Sequence, residues 1–290
     1  MAKCLVTGHC GYIGSRLYKK LKALGHEVHG IDKKDVVGRD VRKTLKEDTD
    51  GLFHRFFLDF QPEYVFHMAC WPRVGFSIEN PVETMENNVM GGSIALNYSR
   101  KVGSVKRFIY SSSSSVIGQG DGPTSPYALQ KLVTEMECKI YSKIYGLDTV
   151  SLRYFNVYSE DQEANGPYAT AISNWMRCIK EKKQPFITGD GEQRRDMIHV
   201  DDVVSANIFA MNSKNNFSNY HYDVGTGDNI SLNEVKNIVQ KYHQVNFNYT
   251  NARPGEVLLT KANTEPLQKL GWKHSISIKD GIEKCFKELK

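Results

Sequence analysis

Seven residues near the amino terminus, Gly8-His9-Cys10-Gly11-Tyr12-Ile13-Gly14, constrain the fold more than any other stretch. This G-x-x-G-x-x-G pattern follows an apolar run, Lys3 to Thr7, that reads as a short buried strand. The segment after it, Tyr12 to Gly25, has the apolar spacing of a helix. Glycines at a strand-to-helix junction permit a tight turn and let a pyrophosphate approach the backbone N–H groups of the helix start. The plain alternative is a simple turn. Asp32 separates the two readings, because it ends the next strand, Val28 to Ile31, where an acid accepts hydrogen bonds from both adenosine ribose hydroxyls and repels a 2′-phosphate. The pattern predicts a dinucleotide site that prefers NAD to NADP. Lys33 and Lys34 carry charge that would neutralise a phosphate, but they read more simply as solvated turn residues.

Further apolar strands are expected at Tyr64 to Met68, Arg107 to Tyr110 and Thr149 to Arg153, separated by helical patterns at Asn87 to Lys101 and Tyr127 to Tyr145. Strands alternating with helices predict an α/β fold, a doubly wound parallel sheet covered on both faces. After Asn156 the pattern loosens. Helix candidates at Tyr168 to Glu181, Asp201 to Ala210, Leu232 to Tyr242 and Ile278 to Glu288 alternate with polar, glycine-rich and proline-rich connections. The expected division is a dinucleotide-binding domain over residues 1–155 and a smaller, mainly C-terminal substrate-binding lobe over 156–290, with some segments returning to the first domain. Such a lobe belongs over the carboxyl ends of the strands, where open α/β sheets bind ligands.

Composition removes other classes. A formal charge of +5 over 290 residues, with Lys and Arg scattered, lacks the concentrated basic stripe of a nucleic-acid surface. No apolar run approaches the roughly 20 residues that cross a bilayer. The chain begins Met-Ala-Lys-Cys-Leu-Val-Thr, with neither a charged leader nor a cleavage site. Six cysteines form no C-x-x-C pair and show no metal-ligand spacing, so no metal is expected and the thiols read as reduced, in a cytoplasmic protein.

The chemistry is written in Ser111-Ser112-Ser113-Ser114-Ser115 and, after Pro126, in Tyr127-Ala-Leu-Gln-Lys131. Tyr127 and Lys131, four apart on a helix, share one face. A phenol with a pKa of about 10 is a poor base at neutral pH, but the Lys131 ammonium and a nicotinamide's positive charge favour its phenolate. Ser113, just past a strand, has a hydroxyl to share the reacting proton. The blander readings are a core tyrosine beside a solvated lysine, and a flexible serine linker. The order strand, serine run, helix favours an active site that moves a proton and a hydride together.

The chain resembles the extended short-chain dehydrogenase/reductase family, in its nucleotide-sugar epimerase/dehydratase branch. The resemblance is carried by Tyr110-Ser-Ser-Ser-Ser-Ser-Val, Ser125-Pro-Tyr-Ala, Leu152-Arg-Tyr-Phe-Asn156, Gly189-Asp-Gly and Arg195-Asp-Met-Ile-His-Val200, and extends to Leu270-Gly271-Trp272. It implies a Rossmann-type fold and a catalytic group of Ser113, Tyr127 and Lys131. It places NAD contacts on Gly8, Gly11, Tyr12, Ile13, Gly14, Asp32, Lys33, Asp40, Val41, Met68, Ala69, Arg73, Asn87, Ser111, Tyr127, Lys131, Tyr154 and Phe155. Substrate contacts fall on Ser113 and Tyr127, with Asn156, Arg195 and Arg253 at the diphosphate, where an Arg fork suits phosphate oxygens. Thr260 matches the position bordering the sugar's 2-substituent. The implied partners are a nucleotide-diphosphate sugar, UDP-linked, and a second copy of the chain joined through the helices at Asn87 to Lys101 and Tyr127 to Tyr145.

Within the branch, sugar 4,6-dehydratases carry an Asp-Glu pair just after the position of Ser113, and decarboxylases a Glu at that of Ser115. Here both Ser114 and Ser115 are serines, unfit for general acid–base work, as in the UDP-sugar 4-epimerases. The implied reaction is 4-epimerisation of a UDP-hexose or UDP-N-acetylhexosamine through a 4-keto intermediate. The intervals Asp32 to Asp40 and Ser113 to Tyr127 are short for the family, Ile117 stands where a Tyr is usual, and Ser159-Glu160-Asp161 replaces a Gly-Pro-Arg-like stretch. A 4-ketoreductase or dehydrogenase of the same family, or a non-catalytic nucleotide-binding subunit, are the alternatives these departures leave open.

Overall fold

The computed structural model describes residues 1–32, 55–72, 74–164, 170–217, 220–252 and 257–289. Lys33, Asp40, Val41, Arg73 and Arg253, all expected at the site, lie outside the described residues. The chain forms two compact units: Met1–Val116, Pro123–Arg153 and Val204–Tyr222 in the first, and Ile117–Gly122, Tyr154–Val203 and Asp223–Lys290 in the second.

The first unit is built on a sheet of order β10-β5-β4-β3-β1-β2. Its strands are β1 (Lys3–Thr7), β2 (Glu27–Ile31), β3 (Tyr64–His67), β4 (Arg107–Ser113), β5 (Thr149–Tyr154) and β10 (Tyr220–Val224), the last two ending in the second unit. β1 pairs in parallel with both β2 and β3, and β3 with β4. The chain therefore leaves β1 toward β2 on one side and returns to β3 on the other. That reversal makes the carboxyl ends of β1 and β3 a topological switch point, where ligands bind in sheets of this kind. Continuous apolar strands suit a sheet covered on both faces. Leu5, Val65, Leu96 and Phe108 are fully buried in the core between strands and helices, each contributing about 1.5–3 kcal/mol.

The helices here begin and end where local chemistry directs. α1 (Tyr12–Ala23) starts at Gly11; α2 (Val74–Glu79) and α3 (Pro81–Met85) precede a π-helical turn, Glu86–Met90, that leads into α4 (Gly91–Val102). The single helix expected over Asn87 to Lys101 is thus two kinds of turn. α5 (Pro126–Tyr145) begins at Ser125, whose Oγ accepts the Ala128 N–H at 3.2 Å, with Pro126 preset for the first turn, and stops at Gly146 with φ of 69°. Buried Arg107 locks the start of β4: it pairs with Asp148 at 2.7 Å and donates to the carbonyls of Ser213 and Asn215 at 3.0 and 2.7 Å.

The second unit pairs short strands: β6 (Val157–Tyr158) with β9 (Ile198–His199), β7 (Phe186–Thr188) with β12 (Asn248–Thr250), and β8 (Arg194–Arg195) with β11 (Ile230–Ser231). Its helices are α6 (Ala171–Lys180), α8 (Leu232–Tyr242), α9 (Glu265–Lys269) and α10 (Ile278–Lys287); α7 (Val200–Asn212) starts here and finishes in the first unit. Capping boxes at Thr170/Ser173 and Ser231/Glu234 fix the starts of α6 and α8. Trp175, Tyr158, Ile282 and Phe286 fill the core. A Cβ on Gly281 would lie 2.1 Å from the Tyr158 hydroxyl, so only glycine lets α10 close on that ring.

All six cysteines are free, Cys4, Cys138 and Cys285 of them buried. Among the described residues no helix is long and apolar enough to cross a membrane.

Candidate active site

At the end of β1 the chain turns at Gly8, whose φ of 73° and N–H bond to the Ile31 carbonyl (2.7 Å) tie the loop to β2. A Cβ on Gly8 would lie 2.8 Å from the Ala69 nitrogen, and one on Gly14 only 2.1 Å from the Gly8 carbonyl oxygen. The glycines are thus required by the close approach of Met68-Ala69 and of the first turn of α1. Gly11 caps α1 without a side-chain hydrogen bond, which leaves the helix start, with its partial positive charge, to an anion. Asp32 follows β2, buried, with Oδ2 accepting the Cys10 N–H at 3.0 Å. A cradle that excludes Cβ atoms, an uncapped helix start and a carboxylate at the next strand end fit a dinucleotide.

Thr7 and His67 hold the neighbouring strand end. Thr7 Oγ1 accepts the N–H groups of Met68 and Ala69, both at 3.2 Å, and lies 2.9 Å from His67 Nδ1. With its lone pairs used, the hydroxyl donates to Nδ1, which puts the imidazole proton on Nε2. Burial first, and then the Lys131 charge, push the His67 pKa down to about 3. The ring is neutral at physiological pH.

The serine run is not a linker. Ser111, Ser112 and Ser113 belong to β4, which extends beyond the expected Tyr110, and Ser114–Ile117 form a 3-10 turn. Ser113 Oγ accepts from the Ser115 N–H (3.2 Å) and hydroxyl (3.0 Å). Ser112 bonds Glu135, and that carboxylate is held by Arg153 at 2.6 and 2.8 Å. The short interval before Tyr127 is closed by a glycine turn: a Cβ on Gly118, at φ 60°, would meet the Gly122 carbonyl oxygen at 1.9 Å.

Tyr127 and Lys131 lie on the buried face of α5. The Tyr127 N–H bonds Ser77 Oγ at 3.0 Å, anchoring the first turn to α2. Lys131, 2% exposed, donates from Nζ to the Ser111 carbonyl at 2.6 Å. The ammonium is 5.0 Å from the Tyr110 ring and 5.9 Å from that of Tyr127. The structure thus brings Lys131 to the Ser111 carbonyl and beside the Tyr127 ring. Asn87, half-buried, donates to Asn88 Oδ1 at 3.0 Å.

In the second unit Asn156 adopts a φ of 37° and donates from Nδ2 to the Asp196 carbonyl (2.6 Å) and Thr260 Oγ1 (3.3 Å). Thr260 Oγ1 also accepts the Asp196 N–H at 3.1 Å. Phe155, next to buried Tyr154, is itself buried, its backbone bonded to Val224 and Ile198. Arg195, on β8, is half-buried and donates to the Arg194 carbonyl at 3.1 Å.

Sequence reasoning missed the organiser of this cluster. Fully buried Asp196 accepts the N–H groups of Thr226, Gly227 and Ala262 and the Thr226 hydroxyl, at 2.9–3.0 Å. Its burial pushes its pKa up, against the pull of those donors. The signal available was an acid next to Arg195 with no assigned role. The acidic substitution at Glu160 is answered within this unit by His199 Nε2 at 3.0 Å and Lys284 at 2.6 Å.

Comparison with known proteins places the chain in a family. Residues 4–225 match the model of the NAD dependent epimerase/dehydratase family. A putative UDP-glucose 4-epimerase of Methanocaldococcus jannaschii is 34% identical, over 99% of this chain and 98% of its own. Among solved structures, the UDP-glucose 4-epimerase of Thermotoga maritima with UDP-glucose superposes with a TM-score of 0.89 at 29% identity, over 99% of this chain and 98% of that one. The UDP-N-acetylglucosamine 4-epimerase of Methanobrevibacter ruminantium, in complex with UDP-N-acetylmuramic acid, does so at 0.87 and 28%, over 99% and 96%. With its Rossmann-type sheet and uncapped glycine loop, the chain belongs to the NAD-dependent epimerase/dehydratase family of extended short-chain dehydrogenases/reductases.

Proposed function

We propose that the chain is a UDP-sugar 4-epimerase acting on a UDP-hexose or UDP-N-acetylhexosamine through a transient 4-keto sugar. The supporting observation is buried Lys131, held on the Ser111 carbonyl beside the Tyr127 ring, with serines rather than carboxylates following Ser113. Lys131 stabilises negative charge on the Tyr127 oxygen, which removes the proton of the sugar 4-hydroxyl. Ser113 orients that hydroxyl. NAD, when bound, supplies hydride acceptance at C4 and its return. Gly8, Gly11, Tyr12, Ile13 and Gly14 would cradle its pyrophosphate, Asp32 would take its adenosine ribose, and Met68, Ala69, Ser111 and Asn87 would border it; Tyr154 and Phe155 are assigned to it by resemblance. Lys33, Asp40, Val41 and Arg73 are assigned there by resemblance alone.

Asn156, Arg195 and Arg253 hold the diphosphate, about which the keto sugar turns before Tyr127 returns the proton. Asn156 and Arg195 come from neighbouring positions around Asp196, which supports a common role. The Thr260 hydroxyl is engaged by Asp196 and Asn156, so its part in selection is its small size, compatible with an N-acetyl group. Loss of water or carbon dioxide would need an acid and a base where Ser114 and Ser115 stand.

The enzyme is proposed to be a cytoplasmic homodimer. Leu129, Met136, Ile140 and Ile144 expose an apolar stripe along α5, of the kind that buries against a second copy. Sedimentation as a monomer at micromolar concentration would contradict it.

The test is incubation with UDP-glucose and UDP-N-acetylglucosamine separately, with products resolved by NMR. The expected result is the matching galacto epimer without net change in NAD redox state. Net NADH formation or consumption at substrate scale would indicate a dehydrogenase or ketoreductase, and tight NAD binding without turnover of a wide nucleotide-sugar panel, uronates included, a binding subunit.

A further inference from the structure

The glycine loop carries two side chains, His9 and Cys10, that the proposed epimerase chemistry does not use, and they lie beside Asp32, which it does. His9 Nε2 lies 3.5 Å from Cys10 Sγ. Asp32 reaches the same place because the Gly8-to-Ile31 hydrogen bond draws the loop onto the end of β2 and Asp32 Oδ2 takes the Cys10 N–H. One donor atom from each of His9, Cys10 and Asp32 lies within 4.8 Å of the other two.

A tetrahedral zinc ion with bonds of about 2.0–2.3 Å places its ligand atoms roughly 3.3–3.8 Å apart. The His9–Cys10 edge already has that spacing, and the remaining edges need side-chain movements of about 1 Å. The imidazole is placed by its neighbours: a Cβ on Gly30 would lie 2.3 Å from its Cγ, and the Tyr18 ring is 5.2 Å away. Asp32 is buried, His9 half-buried and Cys10 exposed, so the site opens to solvent on the thiol side. Imidazole, thiolate and carboxylate together suit zinc and similar borderline-soft cations, while magnesium and calcium favour oxygen ligands.

We propose that His9, Cys10 and Asp32 form a binding site for a zinc-type divalent cation, which excludes the dinucleotide from the loop. Binding forms bonds to His9, to an Asp32 oxygen and to Cys10 sulfur, whose proton passes to solvent. Asp32, turned to the metal, no longer receives the adenosine ribose. The exclusion rests on the proposed placement of NAD on this loop; the metal site does not.

The full chain, with its bound NAD assayed, is titrated with Zn²⁺ against a chromophoric chelator and with Co²⁺ while thiolate-to-cobalt absorption is followed. One metal per dinucleotide-free chain is expected, with affinity at least about tenfold weaker in Cys10→Ser and in His9→Gln and the cobalt–thiolate band absent from Cys10→Ser. Unchanged far-UV circular dichroism controls for folding. No binding, or equal affinity in Cys10→Ser, overturns the site. Zinc should also release bound NAD, and excess NAD should release zinc; retention of both together overturns the exclusion alone.

Discussion

Gly8 and Gly14 in the first unit are fixed by what will not fit beside them, whereas Asn156 and Thr260 in the second are fixed by what they hold. Backbone crowding sets the glycine loop, with Cβ clearances of 2.8 and 2.1 Å. Hydrogen bonds to the backbone and to the carboxylate of buried Asp196 set the other cluster. Crowding depends on local shape and tolerates no added atom. A polar hub depends on every donor keeping its acceptor, so its loss spreads through the segments it joins. Substitutions in the first unit should therefore strike function before stability, and those at the hub of the second, stability before function.

The largest effect expected is that of Tyr127→Phe, which deletes the proposed base without altering the fold. Epimerisation should fall about 10²–10⁴-fold, with NAD binding and the thermal midpoint retained; a midpoint that falls in step with activity would erase the contrast. Next, Asp196→Ala strips the acceptor from three N–H groups, those of Thr226 and Ala262 buried, and should cost about 3–5 kcal/mol. Denaturant unfolding followed by fluorescence from Trp175 and Trp272, both in the second unit, would show it. Gly14→Ala presses a methyl onto the Gly8 carbonyl, a strain of about 1–3 kcal/mol. It should weaken NAD binding about 10- to 100-fold in calorimetric titration, with a smaller change in unfolding midpoint than Asp196→Ala.

The smallest effect is a pH dependence in the first unit. His67 is depressed to about 3 in the fold against about 6.5 in an unfolded chain. Between these values only the unfolded chain takes up the proton, so the contribution is complete above pH 6.5 and is lost as pH falls toward 3, at about 1.4 kcal/mol per unit. His67→Gln removes it. The stability difference between the native chain and this variant should shrink by about 2 kcal/mol from pH 7.5 to pH 5.0; an unchanged difference would mean that the ring is not held neutral.

The same contrast governs what the sequence disclosed. The loop, Asp32 and the Tyr127–Lys131 pair were legible because their chemistry lies in short spacings that follow helix and strand periods. β1 and α8 occupy Lys3–Thr7 and Leu232–Tyr242 as expected. Local pattern failed where long-range contact decides. Ser111 to Ser113 have poor strand character, yet they extend β4 between β3 and β5. β10 has alternating aromatic residues, but its place at the sheet edge depends on pairing with a strand some 70 positions earlier. Asp196 gathers donors from positions 226, 227 and 262, and His9, Cys10 and Asp32 converge only because β1 and β2 are neighbours. No spacing rule reports such meetings.

In the proposed reaction, hydride leaves and returns to the same C4 atom while Tyr127 handles only the hydroxyl proton. UDP-glucose deuterated at C4 tests it most directly, with mass and NMR analysis of the product. The expected product is UDP-galactose retaining the C4 deuterium, with no solvent hydrogen incorporated at C4 or C5. Loss of the label, exchange at C5, or a product lighter by water would contradict it.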